Sequence, residues 1–163
     1  MNDEQFWGLV DQARAGSSES ADPEQLRKIL DKLGDDDVMA FGQMFYEKLC
    51  DLNDWRLWGA GYLIAGGMSD DSFHYFRSWI IGKGKRVFEI AVNNPDELGP
   101  FVDNPEVENE LLEYVAVEVA KKRRMDDPRR DRSDRFPDDL PTGEPFQEDA
   151  VAAAFPKLAA LFG

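Results

Sequence analysis

The sequence predicts an all-α fold, a single compact domain of about seven or eight helices. Three observations carry that expectation. Apolar residues recur at helical spacing along most of the chain. No stretch of useful length alternates apolar and polar residues as a strand does. Helix-start and helix-stop residues fall where the apolar stripes begin and end. The 163 residues suffice for one proper core, since a chain of this size buries roughly 70% of its unfolded surface. Four Trp and eleven Phe supply large apolar area for that core.

The elements follow in order. Phe6, Leu9, Val10 and Ala13 form an i, i+3, i+4, i+7 stripe over residues 3–15, with Asp3 and Glu4 at the dipole-favoured start. Gly16-Ser17-Ser18 stops it. Asp22 caps a second helix, Pro23 suits its first position, and Leu26, Ile29, Leu30 and Leu33 repeat the stripe up to Gly34. Asp35-Asp36-Asp37 precedes a third, marked by Val38, Phe41, Phe45, Leu49 and Leu52. Three adjacent carboxylates there read as a cap and dipole partners, because calcium loops space their acids at alternate positions.

Residues 54–66 are apolar nearly all round, through Trp55, Leu57, Trp58, Tyr62, Leu63 and Ile64. Such a helix is buried or bounds a pocket. Gly59 and Gly61 inside it each cost about 1 kcal/mol relative to Ala, so the segment needs either a close neighbour or room for a ligand. Ser69 caps the next helix, whose stripe is Phe73, Phe76 and Ile80. Residues 85–93 give a shorter one. Turn chemistry fills 94–105, and a long helix is expected over about 106–124. Pro128, Pro137, Pro141 and Pro145 rule out a continuous helix from 125 to 146, which reads as a polar arm. Residues 147–163 then read as a C-terminal helix folding back on a 1–124 core, broken or restarted at Pro156.

The net charge of −14 argues against nucleic acid and anionic membranes as default partners and permits a basic protein partner. One local reversal stands out. Residues 121–135 hold eight Lys/Arg and four Asp. The lone Cys50 allows no internal disulfide and reads as a buried structural thiol. With no basic-plus-apolar leader at Met1 and no apolar span of membrane length, a cytoplasmic location is expected. No metal or cofactor pattern occurs, and Gly82-Lys83-Gly84-Lys85 lacks the strand and spacing of a phosphate loop. The sequence leaves the oligomeric state open.

No catalytic residue is assigned. The candidate binding constellation is Trp55, Arg56, Trp58, Tyr62, Asp70, Asp71, His74 and Arg77. Asp70 and His74 are i, i+4 and offer a carboxylate–imidazole pair. The plainer alternative leaves the two Asp at the helix start and His74 as a half-exposed ring. Arg77, between Phe76 and Trp79, must find acceptors or water. A salt bridge to an acid of the first or third helix competes with an anion-binding role. Two functions stay open. The favoured one is a non-enzymatic protein-interaction or regulatory module. The other is a small-molecule-binding domain or enzyme with a Trp-lined pocket around residues 55–79.

Phe6-Trp7 and the block from Trp55-Arg56-Leu57-Trp58-Gly59-Ala60-Gly61-Tyr62 through Gly66-Gly67-Met68-Ser69-Asp70-Asp71-Ser72-Phe73, continued by Phe76-Arg77-Ser78-Trp79, resemble the bacterial domain-of-unknown-function 4240 family. The resemblance covers roughly residues 1–120, with an echo at Phe155-Pro156-Lys157-Leu158. It implies no established activity. Asn and Cys are common in that family where this chain has Ala65 and Met68, so a polar site built on them would be lacking here. Some relatives carry WGR domains, including ones labelled as regulators of molybdate metabolism, which implies no mechanism for this chain.

Overall fold

The computed structural model describes residues 1–129 and 134–163. Residues 130–133 of the basic stretch lie outside the described residues. The fold is all-α. Among the described residues the extended pairing is one isolated parallel bridge, Asp54 with Thr142.

Local chemistry sets the helices. α1 (Asp3–Arg14) begins at a capping box, in which Asn2 accepts from the Gln5 N–H and Gln5 returns the bond to Asn2. α2 (Pro23–Asp31) starts on Asp22, which accepts from the Glu24 N–H, with Pro23 in the first turn. α3 (Asp35–Asp51) differs from expectation at its start. Gly34 is the cap residue and makes no side-chain bond, so the three Asp lie in the first turn, where they complement the dipole. α4 (Trp55–Ala65) is capped by Asp54 and ends at Gly66, whose φ of +70° suits glycine. α5 (Asp70–Gly82) starts at Ser69, which accepts from the Ser72 N–H, and α6 spans Lys85–Asn93.

The second half departs further from the periodicity. Within the 94–105 stretch, Pro95–Phe101 winds as a 3-10 helix. The helix expected over 106–124 is shorter: a 3-10 turn at Glu110–Tyr114 leads into α7 (Val115–Lys122). Asn109 explains the late start. Its N–H donates to the Tyr75 carbonyl, and its side chain donates to Ser20 Oγ and the Ala21 carbonyl. Those bonds hold residue 109 at φ −147°, ψ 68°, outside the helical range. The C-terminal segment forms α8 (Val151–Ala154) and α9 (Pro156–Phe162). Pro156 both interrupts and restarts the helix, because it has no N–H to continue the first but fits the first turn of the second.

α5 is the central element. It packs on α1, α3, α4, α6 and the Glu110–Tyr114 turn, and Phe76, Ile80 and Ile81 are fully buried. Phe6 stacks on Phe41 at 4.7 Å to join α1 to α3. α9 lies on α4 and the Pro95–Phe101 turn, with Phe155 and Leu158 buried in the same core.

The two α4 glycines are explained by close approach. A Cβ on Gly61 would lie 2.6 Å from Met68 Sδ and 2.9 Å from a Phe76 ring carbon. One on Gly59 would lie 3.2 Å from Phe155 and 3.3 Å from Phe146. The helix therefore gives up propensity so that α5 and the C-terminal segment can seat against its two sides.

Candidate functional site

The site is built on an aromatic column that crosses from α4 to α5. Trp55 and Trp58 are i, i+3 on α4, and their rings stack at 5.0 Å. Trp58 stacks in turn on Phe73 of α5 at 4.7 Å, both pairs lying within 8° of parallel. Trp58 Nε1 donates to the Met68 carbonyl at 2.9 Å, which fixes that ring's rotation. The Arg77 guanidinium, one helical turn beyond Phe73, covers the Phe73 ring at 4.6 Å. The column thus runs Trp55, Trp58, Phe73, Arg77.

Arg77 is 2% exposed. Its Nη1 donates to the Leu49 carbonyl at 3.1 Å and to the Pro137 carbonyl at 3.0 Å. Leu49 lies in the last turn of α3, where carbonyls lack helical partners, so Arg77 caps α3 from a neighbouring helix. The salt bridge to a first- or third-helix acid is replaced by this carbonyl contact. Burial pushes the Arg77 pKa down to about 10, against the opposing pull of Asp138.

The segment Pro137–Pro141 closes the outer side of the column. Asn53 Nδ2 donates to the Asp139 carbonyl at 2.8 Å. The Thr142 N–H donates to the Asn53 carbonyl, and the Trp55 N–H donates to the Thr142 carbonyl. This strap is therefore held from both the α3–α4 corner and α5. Between strap, α4 and α5 lies a cleft of about 530 Å³, within the usual range for a ligand site.

Six of the eight predicted residues meet there: Trp55, Trp58, Asp70, Asp71, His74 and Arg77 all line the cleft. Two do not. Arg56 follows Trp55 by one residue, about 100° around the helix, and points away to donate to the Asn93 carbonyl at 3.3 Å. Tyr62 shares the aromatic face but lies beyond the cleft, against Phe146 at 5.5 Å.

The Asp70–His74 pair does not form. Asp70 accepts from the Asp71 N–H at the start of α5. His74 instead places Nε2 2.6 Å from Glu113 and Nδ1 3.3 Å from Asp138. Sequence reasoning missed Glu113, and also Asn53, Phe73, Asp138, Asp139 and Leu140 of the lining. Phe73 stood in the helical stripe as a core residue. Asp138 and Asp139 sit in a stretch whose composition announces only a loop.

A second hollow, about 400 Å³, lies between residues 19–23 and 103–109. Its Ser20 and Asn109 polar groups are already bonded to each other and to Trp79 and Ala21 carbonyls. The α4–α5 cleft is the better candidate because it joins half-buried Trp rings to exposed carboxylates.

Fold and site together define an all-α domain with an aromatic cleft between two adjacent helices and a C-terminal strap. Residues 1–122 match the family described as protein of unknown function (DUF4240), and the chain belongs to that family. No curated protein and no solved structure matches the chain. The family match stops short of the strap and of α8 and α9.

Proposed function

We propose that the protein is a binding module with a regulatory rather than a catalytic role, and that the cleft between α4, α5 and the strap is its binding site. The observation that carries this reading is the stacked column Trp55–Trp58–Phe73 standing along an open cleft of about 530 Å³. Half-buried Trp rings beside a cleft offer contact area that a ligand can complete.

The titratable groups support binding over chemistry. Both His74 nitrogens face carboxylates of the chain itself, so both positions from which the ring could reach a substrate are occupied. Arg77 spends Nη1 on two carbonyls. The Cys50 thiol is buried and pushed up to about 11, the opposite of an activated nucleophile.

The test is an NMR titration of the full chain against short peptides and small metabolites of positive, neutral and negative charge. Support would be perturbations gathered on the Trp55 and Trp58 indoles, His74 and residues 137–141. Perturbations that gather on another face, or a probe that the protein turns over, would overturn the reading.

A further inference from the structure

We infer that the ligand of this cleft is an organic cation, a guanidinium or ammonium group carried on an apolar stem. The inference rests on the reading of the cleft as the binding site and names the chemistry that site selects.

Charge gives the first argument. Among the described residues four carboxylates line the cleft: Asp70 and Asp71 from α5, Asp138 and Asp139 from the strap. All four residues are exposed. Among the described residues the basic groups of the lining are Arg77, buried with Nη1 on two carbonyls, and His74, set against Glu113 and Asp138. Asp70 and Asp139 each accept one backbone N–H, which leaves their charges in place. An anion entering here would meet this acidic rim before it met the buried guanidinium; a cation meets complementary charge.

The rings give the second argument. Aromatic faces attract cations, and the column already carries one, Arg77 over Phe73. Trp58 and Phe73 have both faces covered within the column, so the face left to a ligand cation is the outer one of the half-buried Trp55, which lines the cleft. Pro141 and Leu140, the latter 82% exposed, supply apolar surface for a stem.

A third argument comes from elsewhere in the molecule. Lys48 is 8% exposed, and its Nζ sits 5.0 Å from the Phe6 ring, 5.0 Å from Trp7 and 5.4 Å from Phe88, with Asp3 Oδ1 at 2.7 Å. The fold thus holds one of its own ammonium groups with rings plus a carboxylate. The cleft presents a ring and carboxylates as well, and among the described residues no side-chain ammonium lines it.

Two sources share this chemistry: an Arg or Lys side chain of a partner protein, and a free small amine or guanidine. Calorimetry and Trp fluorescence on the full chain would use decapeptides with a central Arg, Lys, citrulline or Glu between Pro and Leu residues. The small probes would be N-acetyl-arginine amide and agmatine. Arg and Lys decapeptides should bind at least about tenfold more tightly than the citrulline and Glu ones. Asp71→Asn with Asp138→Asn should erase most of that margin, as should raising salt from about 0.05 to about 0.5 M. Both substituted residues are exposed, and an unchanged thermal midpoint would confirm folding. Tight binding of agmatine alone would assign the free source; peptide binding alone would assign the protein source. Equal binding of Arg and citrulline peptides at the cleft would overturn the cation inference and leave the binding site standing. No perturbation of the cleft by any probe would overturn both.

Discussion

Replacing Arg77 by Met separates what this side chain does for the fold from what it does for the cleft. Met keeps the apolar stem over Phe73 and removes the guanidinium. Two effects oppose. The Leu49 and Pro137 carbonyls lose their donor, and a buried acceptor left without one costs about 1–3 kcal/mol. Against that, the variant no longer buries a charge. The pKa falls from 12.5 to about 10 on folding, which corresponds to about 3 kcal/mol returned. The balance is a global destabilisation of at most about 3 kcal/mol, or a thermal midpoint lowered by up to roughly 10 °C. The local effect should be larger in proportion. Pro137 belongs to the strap, so the strap loses one of its ties to α5 and keeps, among the described residues, those through Asn53, Thr142 and Asp138. Hydrogen exchange should therefore rise by about tenfold or more at the Thr142 amide, while core amides of α5 such as Ile80 change only by the global amount. Unchanged strap protection beside a large global loss would refute the argument, because it would mean that Arg77 serves the core and not the cleft wall.

Other substitutions follow from the same geometry. Gly82→Ala should destabilise by about 2–3 kcal/mol despite its better helix propensity, since the new Cβ would lie 2.1 Å from Ser20 Oγ and 3.0 Å from the Ala21 backbone nitrogen. Gly59→Ala, whose Cβ meets ring carbons at 3.2–3.3 Å, should stay within about 1 kcal/mol of wild type. Urea titration of the pair checks the contrast, and equal losses would contradict it. Lys48→Met should cost about 1–2 kcal/mol by removing the caged cation. Lys48 holds the Asp3 pKa below 3.8, so wild type carries stability that is present above that value and lost as pH falls through the lower folded one. The variant should lack this acid-dependent part in a pH series of melts. The Cys50 thiol moves the other way, from 9.0 to about 11. Its contribution is full below pH 9 and lost as pH rises through 11. Cys50→Val should flatten part of the alkaline decline in thermal midpoint, and parallel slopes would rule this out.

What could be read in advance divides along the range of the interactions. Caps and stripes are local, so α1 through α6 stand close to where periodicity and capping residues put them. The misplaced elements are those with distant partners. Residue 109 stays out of a helix because Ser20, Ala21 and Tyr75 hold it, and none of these is near it in sequence. The site shows the same division. The spacing of Trp55, Trp58 and Asp71 marks two helix starts that come to face one cleft. The i, i+4 spacing of Asp70 and His74 suggested a pair, yet Glu113 takes the ring from 39 positions away. The cost of Gly61 was visible in the sequence, but its cause, the Phe76 ring and Met68, was not. Arg77 plainly needed acceptors. That they are carbonyls follows from α3 ending beside α5, which no local pattern encodes.

The extent of the family match bears directly on the cleft. Residues 1–122 supply the aromatic column, Asn53, Asp70, Asp71, His74 and Arg77. The strap that closes the cleft, with Asp138, Asp139 and the exposed Leu140, lies beyond that match. Floor and wall therefore come from different parts of the chain. The floor fixes where a ring-stacking ligand would lie. The strap adds two of the four carboxylates and the apolar rim, which are the groups that would discriminate among ligands of different charge. The strap is also tied to the floor by the bond from Arg77 to Pro137 and by the contact between His74 and Asp138. A substitution in either part would change the other's geometry. Strap and floor substitutions should accordingly be non-additive in binding, as expected for residues that share partners. A double-mutant cycle between His74→Gln and Asp138→Asn measures this coupling. A coupling energy of zero would show that the strap and the family domain contribute to the cleft as independent surfaces.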